Sequence, residues 1–186
     1  MTVKLTGVAG SLRRHSFNRG LLNAATGLLP DGVTLEIVPI AEIPLYNADD
    51  EAADGIPPAV AKLKEAIAAA DGLLLATPEY NNGIPGVFKN AIDWASRPPA
   101  DIGRVFGGKP VALMGASPGG FGTILSQDGW LSVLRTLGTR PWFEGRLLVS
   151  RAGSLFDDQG RLTDEDMRAR LRDFIAGFVS FLGKKS

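Results

Sequence analysis

Two uninterrupted apolar runs constrain this chain more than any other feature. Residues 72–77, GLLLAT, and residues 111–116, VALMGA, contain no charged side chain, and a proline follows each run within two residues. Continuous apolar strands of this kind are typical of parallel sheets in which helices cover both faces. The sequence therefore predicts a protein built around a parallel sheet.

Amphipathic stretches separate these runs from three further segments of strand character. The predicted strands are residues 3–9, 33–40, 72–77, 111–116 and 147–149, and the predicted helices begin near residues 17, 57, 84, 122 and 163. The last of these helices would open with a capping box formed by Thr163 and Asp166. Residues 43–55 resemble a long surface loop. Five strands alternating with five helices predict an open α/β fold with a parallel sheet.

Composition limits the chemistry that the chain can perform alone. Its 186 residues fit one domain, 1–186, and they include no cysteine and a single histidine, His15. Disulfides, thiolate metal sites, iron–sulfur clusters and a cysteine nucleophile are therefore excluded. Redox chemistry would need an organic cofactor.

Charge and hydropathy argue against two classes of partner. Twenty basic residues balance twenty acidic ones, so composition gives no reason to expect nucleic acid or a membrane surface as a partner. No run approaches the roughly 18 apolar residues of a membrane span. The chain enters its first strand without a signal-peptide pattern. We expect a soluble, cytoplasmic protein.

Three polar or glycine-rich loops follow predicted strands, at residues 10–18, 78–83 and 117–122. In open parallel sheets, ligands bind outside the carboxyl ends of the strands. The three loops should therefore meet at one site.

The first loop has the residue types of a phosphate site. Ser11, Ser16 and Asn18 can donate hydrogen bonds, Arg13 can bind an oxyanion, and the next helix N-terminus adds oriented amide groups. The alternative is that Ser16 only caps the helix while the arginines face water. His15 is interpreted as a surface residue.

The other two loops suit a flat ligand. Tyr80 offers a planar apolar face, Asn81 offers hydrogen bonds, and Gly119 and Gly120 let the backbone approach a ligand closely. The alternatives here are an ordinary strand-to-helix turn and an ordinary glycine turn.

Three motifs that would indicate a hydrolase or a nucleotide-binding protein fail on inspection of their residues or position. Residues 115–119 fit the G-x-S-x-G pattern of α/β hydrolases, but no histidine follows Ser117 and Pro118 has no amide hydrogen. Residues 103–109 nearly fit a P-loop, yet they precede a strand and lack the final hydroxyl residue. No G-x-G-x-x-G follows the first strand.

Together the segments GSLRRHSFNRGLL, PEYNNGIPGVFKNAIDW and SPGGFG, in this order, resemble the NADPH-dependent FMN reductase family, which includes chromate, quinone and azo-dye reductases. The resemblance implies a flavodoxin-like three-layer fold with helices on both faces of a five-stranded sheet of order 2-1-3-4-5. It also implies FMN as cofactor, NADPH or NADH as hydride donor, and a small-molecule electron acceptor.

The resemblance assigns the cofactor-binding residues loop by loop. The phosphate loop would comprise Ser11, Arg13, Ser16, Phe17 and Asn18, the isoalloxazine loop Pro78, Glu79, Tyr80 and Asn81, and the third wall Ser117, Gly119 and Gly120. The flavin performs the chemistry, so no side chain is assigned as an acid or base. Arg14 would meet a phosphate of the nicotinamide cofactor or face water.

Assembly and activity are also expected from the family. Relatives form homodimers or homotetramers, with residues 84–94 near the subunit contact. Residues 123–128, TILSQD, depart from the small residues and arginine that many members carry there. The expected reaction is ping-pong hydride transfer through flavin N5 to quinones, flavin, azo compounds or chromate. The alternatives are a flavodoxin-type electron carrier and a non-catalytic flavin-binding domain.

Overall fold

A computed structural model of the chain describes residues 2–183 and shows a parallel six-stranded sheet. The strands are β1 Val3–Ala9, β2 Val33–Ile37, β3 Gly72–Ala76, β4 Pro110–Ala116, β5 Arg140–Pro141 and β6 Leu147–Val149. Their order is β2-β1-β3-β4-β5, and β6 also pairs with β4. Each pair is parallel. The predicted order 2-1-3-4-5 is confirmed.

Over residues 2–183, seven α-helices connect and cover the strands. They are α1 Phe17–Thr26, α2 Ala48–Asp54, α3 Pro58–Ala69, α4 Gly86–Ala95, α5 Ile102–Val105, α6 Ile124–Thr136 and α7 Glu165–Gly183. Buried side chains of α1 and α7 pack on one face of the sheet, and those of α3, α4 and α6 pack on the other. This is the three-layer flavodoxin-like fold expected from the sequence. Within residues 2–183, no helix has the length and apolar character needed to span a membrane.

The outer edge of the sheet differs from the prediction of one fifth strand. Arg140 and Pro141 pair with the start of β4, whereas residues 147–149 pair with its end. Trp142 N still donates to Val111 O at 2.8 Å, and the chain leaves the sheet over residues 143–146. The ring of Trp142 packs 5.2 Å from that of Phe174 in α7. The two residues of β5 are too few to give a strand pattern in the sequence.

Two local predictions were wrong. The predicted loop at residues 43–55 contains α2, which buries no residue and therefore shows no apolar periodicity. It is stabilised by a cap from Asn47 and by three acidic residues in its first turn. At α7, Asp164 caps the helix by accepting a hydrogen bond from Met167 N at 2.8 Å, while the hydroxyl of Thr163 donates to Leu155 O.

Strand register brings the three loops to one edge of the sheet. Ala9 lies beside Ala76, and Ala76 lies beside Met114. The ladder continues one step beyond the strands, since Gly10 N donates to Ala76 O at 2.9 Å and Thr77 N donates to Met114 O at 2.8 Å. Each loop therefore starts from a fixed backbone position.

Candidate active site

The three loops meet in a cleft at the carboxyl ends of β1, β3 and β4. Its lining residues are Ser11, Arg13, Ser16, Phe17, Asn18, Pro78, Glu79, Tyr80, Ala116, Ser117 and Pro118. Nine of the twelve predicted site residues are among them, while Asn81, Gly119 and Gly120 are exposed next to it on the same loops. The fold thus brings three loops that are far apart in the sequence together at one site.

The first loop ends in a helix N-terminus that suits an anion. Ser16 is the cap of α1, and its hydroxyl accepts a hydrogen bond from Arg19 N at 3.3 Å. The amide groups of Phe17 and Asn18 occupy the first two helical positions, where no intrahelical acceptor exists. These groups and the helix dipole favour a negatively charged ligand.

Arg13 adds a charged donor beside this helix N-terminus. Its guanidinium carbon lies 5.7 Å from the ring centroid of Phe17, and that ring packs at 5.0 Å on Phe156. Among residues 2–183, no carboxylate forms an ion pair with Arg13. Stacking therefore holds the exposed side chain in place and leaves its N–H groups for an external anion.

Asn18 has a different role from the one its position suggests. The side chain is buried, and it donates to Ala116 O and accepts from Ala116 N, both at 2.9 Å. These bonds fasten the start of α1 to the end of β4. The backbone amide of Asn18 remains a donor for the helix N-terminal site.

A tight hairpin presents Tyr80 and Asn81. Tyr80 and Gly83 exchange two backbone hydrogen bonds of 3.1 Å, and the two residues between them have positive φ, 49° at Asn81 and 61° at Asn82. This is the pattern of a type I′ turn, in which asparagine is favoured. The Tyr80 side chain is 46% exposed, and its hydroxyl lies 3.5 Å from Ser11 Oγ. The turn therefore holds a flat aromatic face beside the first loop.

Glu79 lines the cleft, but its carboxylate faces the start of α6. Its Oε2 atom accepts hydrogen bonds from Leu125 N at 2.8 Å and from Ser126 N at 3.0 Å. No local pattern in the sequence indicates this contact, because the partners belong to another loop and helix.

The third wall is the glycine-rich loop at residues 117–122, of which residues 118–121 are exposed. Ser117 Oγ donates to Gly122 O at 2.6 Å, and Gly119 O accepts from Arg151 N at 2.9 Å. A Cβ atom on Gly120 would meet no atom within 4 Å. The glycines therefore leave open space in front of the loop, which a planar ligand can approach closely.

Gly115 is a site-supporting residue that the sequence reasoning missed. A Cβ atom there would lie 2.1 Å from Thr123 Oγ1 and 2.2 Å from Thr77 O. The glycine thus allows the second and third loops to pack together behind the cleft. A glycine inside a buried strand was the available signal.

Neither His15 nor Ser117 is arranged for nucleophilic catalysis. His15 Nδ1 lies 3.2 Å from Gln159 O, and the side chain does not line the cleft. The hydroxyl of Ser117 is engaged with Gly122 O. What the cleft offers instead is an anion site at one end and flat or open surfaces at the other, which fits a phosphate ester carrying a planar ring.

Comparisons with known proteins agree with this geometry. The family model for NADPH-dependent FMN reductases matches residues 3–153. An NAD(P)H-dependent FMN reductase of Pseudomonas aeruginosa is 48% identical over 89% of this chain and 88% of its own length. A 2-hydroxy-1,4-benzoquinone reductase of a Burkholderia species is 38% identical over 98% and 97%. The solved structure of FerB, a flavoenzyme NAD(P)H:(acceptor) oxidoreductase of Paracoccus denitrificans, has a TM-score of 0.85, 34% identity and 97% coverage of both chains. The chain therefore belongs to the NADPH-dependent FMN reductase family.

Proposed function

We propose that this chain is an NAD(P)H-dependent oxidoreductase that binds FMN in the cleft and reduces small quinone-type acceptors. The observation that carries the proposal is that Arg13, which forms no ion pair with a carboxylate of residues 2–183, lies at a helix N-terminus across the cleft from the exposed Tyr80 and the exposed Gly119–Gly120 backbone. FMN bound there supplies hydride acceptance from the nicotinamide and electron delivery to the acceptor.

The residues of the chain bind and orient in this reaction. Arg13 and the amide groups at the start of α1 hold the phosphate, and Ser11 and Ser16 shape the loop around it. Tyr80 with Asn81, and Gly119 with Gly120, flank the planar ring. Since Tyr80 and both glycines are exposed, nicotinamide and acceptor can reach the same open side in turn, which is the arrangement for ping-pong kinetics.

Quinones are the acceptors best supported by the relatives, because one is named as a benzoquinone reductase. Free flavin, azo compounds and chromate are further acceptors that the family leads us to expect. NADPH and NADH both remain in the proposal as donors. No side chain is proposed as a proton donor or base.

The decisive experiment is anaerobic reduction of the purified, FMN-loaded protein. We expect a yellow protein whose flavin absorbance is bleached by NADPH alone and restored by 1,4-benzoquinone, with parallel lines in double-reciprocal initial-rate plots. A flavodoxin-type carrier would stay oxidised in NADPH. Failure to retain FMN, or failure to oxidise NADPH or NADH with any quinone, would contradict the proposed function.

We also propose a single domain over residues 1–186 that assembles into a homodimer or homotetramer in the cytoplasm. Exposed apolar side chains support assembly, since Phe143 is 74% exposed and Leu125 is 47% exposed. Residues 84–94, which include most of α4, are proposed near the subunit contact. Sedimentation velocity at micromolar concentration tests the oligomeric state, and a monomer would contradict it.

A further inference from the structure

We propose that Glu79 is a positioning residue that joins the second wall of the cleft to the third by capping α6 from a distance. The inference rests on the proposed function only in that FMN binds between these walls. It adds a role to the family-based expectation that Glu79 belongs to the loop along the isoalloxazine, because the carboxylate of this cleft-lining residue binds protein backbone at the start of α6.

The cap is needed because α6 has none of its own. Thr123 precedes the first helical residue but makes no side-chain capping bond, and its hydroxyl instead accepts a hydrogen bond from Gln127 Nε2 at 3.1 Å. Glu79 Oε2 accepts from the second and third amide groups of the helix, those of Leu125 and Ser126, at 2.8 and 3.0 Å. A carboxylate at this end of a helix gains both hydrogen bonds and a favourable interaction with the helix dipole.

A second, deeper contact holds the same two elements together. Thr77 Oγ1 lies 2.7 Å from Ser126 Oγ and accepts a hydrogen bond from Trp130 Nε1 at 3.1 Å. All three of these residues are fully buried. This cluster fixes the end of β3 to the body of α6 whether or not Glu79 is present. Loss of the Glu79 carboxylate should therefore loosen the loops without opening the core.

The position of Glu79 links it to both walls. It immediately precedes the Tyr80–Gly83 hairpin, and the helix that it caps immediately follows the glycine loop at 117–122. The two hydrogen bonds therefore set the separation between Tyr80 and the Gly119–Gly120 backbone. A ligand that fits between them meets walls already held at that separation, which lowers the entropy that binding must overcome.

The test compares three variants of the full-length protein. Glu79→Ala removes the cap, Glu79→Gln keeps an acceptor oxygen at the same reach, and Asp164→Ala removes the cap of α7, whose bond to Met167 N is also 2.8 Å long. Asp164 lies outside the cleft lining and serves as a matched control for lost helix capping. The readouts are FMN affinity by fluorescence quenching, the visible circular dichroism of bound flavin, and amide hydrogen exchange of the protein without FMN.

We expect Glu79→Ala to weaken FMN binding about tenfold, to change the flavin dichroism, and to speed amide exchange at residues 119–126. Glu79→Gln should recover most of the affinity. In thermal melts without FMN, Asp164→Ala should lower the melting temperature about as much as Glu79→Ala does, while leaving FMN affinity unchanged. Wild-type affinity in Glu79→Ala, equal weakening in Asp164→Ala, or no recovery in Glu79→Gln would each overturn the inference. If the wild-type protein itself binds no FMN, the proposed function fails, and hydrogen exchange still tests whether Glu79 holds the start of α6.

Discussion

Among the described residues that line the cleft, Arg13 is the one cationic side chain and can therefore attract a ligand anion. Arg13→Ala should weaken FMN binding by about 1.5–3 kcal/mol, the size of a charge-assisted hydrogen bond, because the stacked guanidinium loses no internal ion pair. Titration calorimetry with FMN measures the change. Arg170→Ala, on the exposed side of α7, is the control for charge. Equal affinities in the two variants would contradict a phosphate contact by Arg13 and support the alternative that its side chain faces water.

Asn18 should matter for stability as well as for binding. Asn18→Asp replaces the amide that donates to Ala116 O with a carboxylate oxygen, which repels the carbonyl inside a buried site. We expect a loss of about 2–3 kcal/mol in the free energy of unfolding. Urea denaturation measures it, with Asn23→Asp, exposed on the same helix, as the control. A loss below that of the control would contradict the role assigned to these bonds.

Local sequence predicted the residues whose roles depend on their neighbours in the chain. Ser16 caps α1, and Arg13 lies beside that cap. Both positions could be predicted because the residue types at a helix N-terminus form a short-range pattern in the sequence. The carboxylate of Glu79 could not be placed in this way, since 46 residues separate it from Leu125. The side chain of Asn18 likewise found a backbone partner 98 residues away.

At the scale of elements, hydrogen bonds fix the segment after β2 to α4, although the sequence had predicted a surface loop at residues 43–55. Pro44 O accepts hydrogen bonds from Trp94 Nε1 at 2.9 Å and from Asn90 Nδ2 at 2.8 Å. Glu51 in α2 accepts from Arg97 Nε at 2.8 Å and from the Tyr46 hydroxyl at 2.9 Å. Polar contacts with α4 and with the segment that follows it, and not an apolar face, therefore hold α2 in place.

These contacts predict a defined acid dependence. The hydrogen bond from Arg97 lowers the pKa of Glu51 in the folded protein, so folding favours the ionised form. The resulting stabilisation is complete above the ordinary glutamate pKa of about 4.3 and is lost as pH falls through the lower folded value. The melting temperature of Glu51→Gln should therefore lie below that of the wild type at pH 7, with the difference shrinking below about pH 4. Calorimetric scans from pH 3 to 7 measure it.

The control for this comparison is Glu42→Gln, which neutralises an exposed carboxylate. It should leave the melting temperature close to the wild-type value throughout the range. A difference between wild type and Glu51→Gln that stays constant from pH 7 to pH 3 would contradict the role of the Glu51–Arg97 pair. Carboxylates such as Asp157, whose pKa is lowered by a hydrogen bond from the Arg161 backbone, contribute equally to both proteins and cancel.

At the scale of the molecule, three loops from different parts of the chain form the cleft, so one ligand should stabilise the whole fold. FMN at about one hundred times its dissociation constant should add about 2.7 kcal/mol to the free energy of unfolding. At roughly 2–4 °C per kcal/mol for a domain of this size, the melting temperature should rise by about 5–11 °C. Differential scanning fluorimetry measures the shift. Riboflavin, which lacks the phosphate, should raise the melting temperature less at the same concentration. Equal shifts would contradict a phosphate site at α1.

The parallel sheet was predictable because strands that alternate with helices build α/β folds. The strand order 2-1-3-4-5 was expected from the family resemblance and is confirmed. The continuous apolar patterns of β3 and β4 indicated strands covered on both faces, and the loops that follow them were correctly expected at one edge. The division of the outer strand was not predictable. The segment between its two parts is held by packing of Trp142 against Phe174 and Phe178 in α7, a contact across more than thirty residues of chain.

The divided outer strand also bears on how this protein behaves at high concentration. A continuous outer strand would expose a full row of amide and carbonyl groups, on which the strand of another molecule could add. Here the row is broken between Pro141 and Leu147, and Pro141 has no amide hydrogen to offer. The sheet therefore ends in a short, interrupted edge, and edges of this kind are among the features by which native proteins limit edge-to-edge pairing at high concentration.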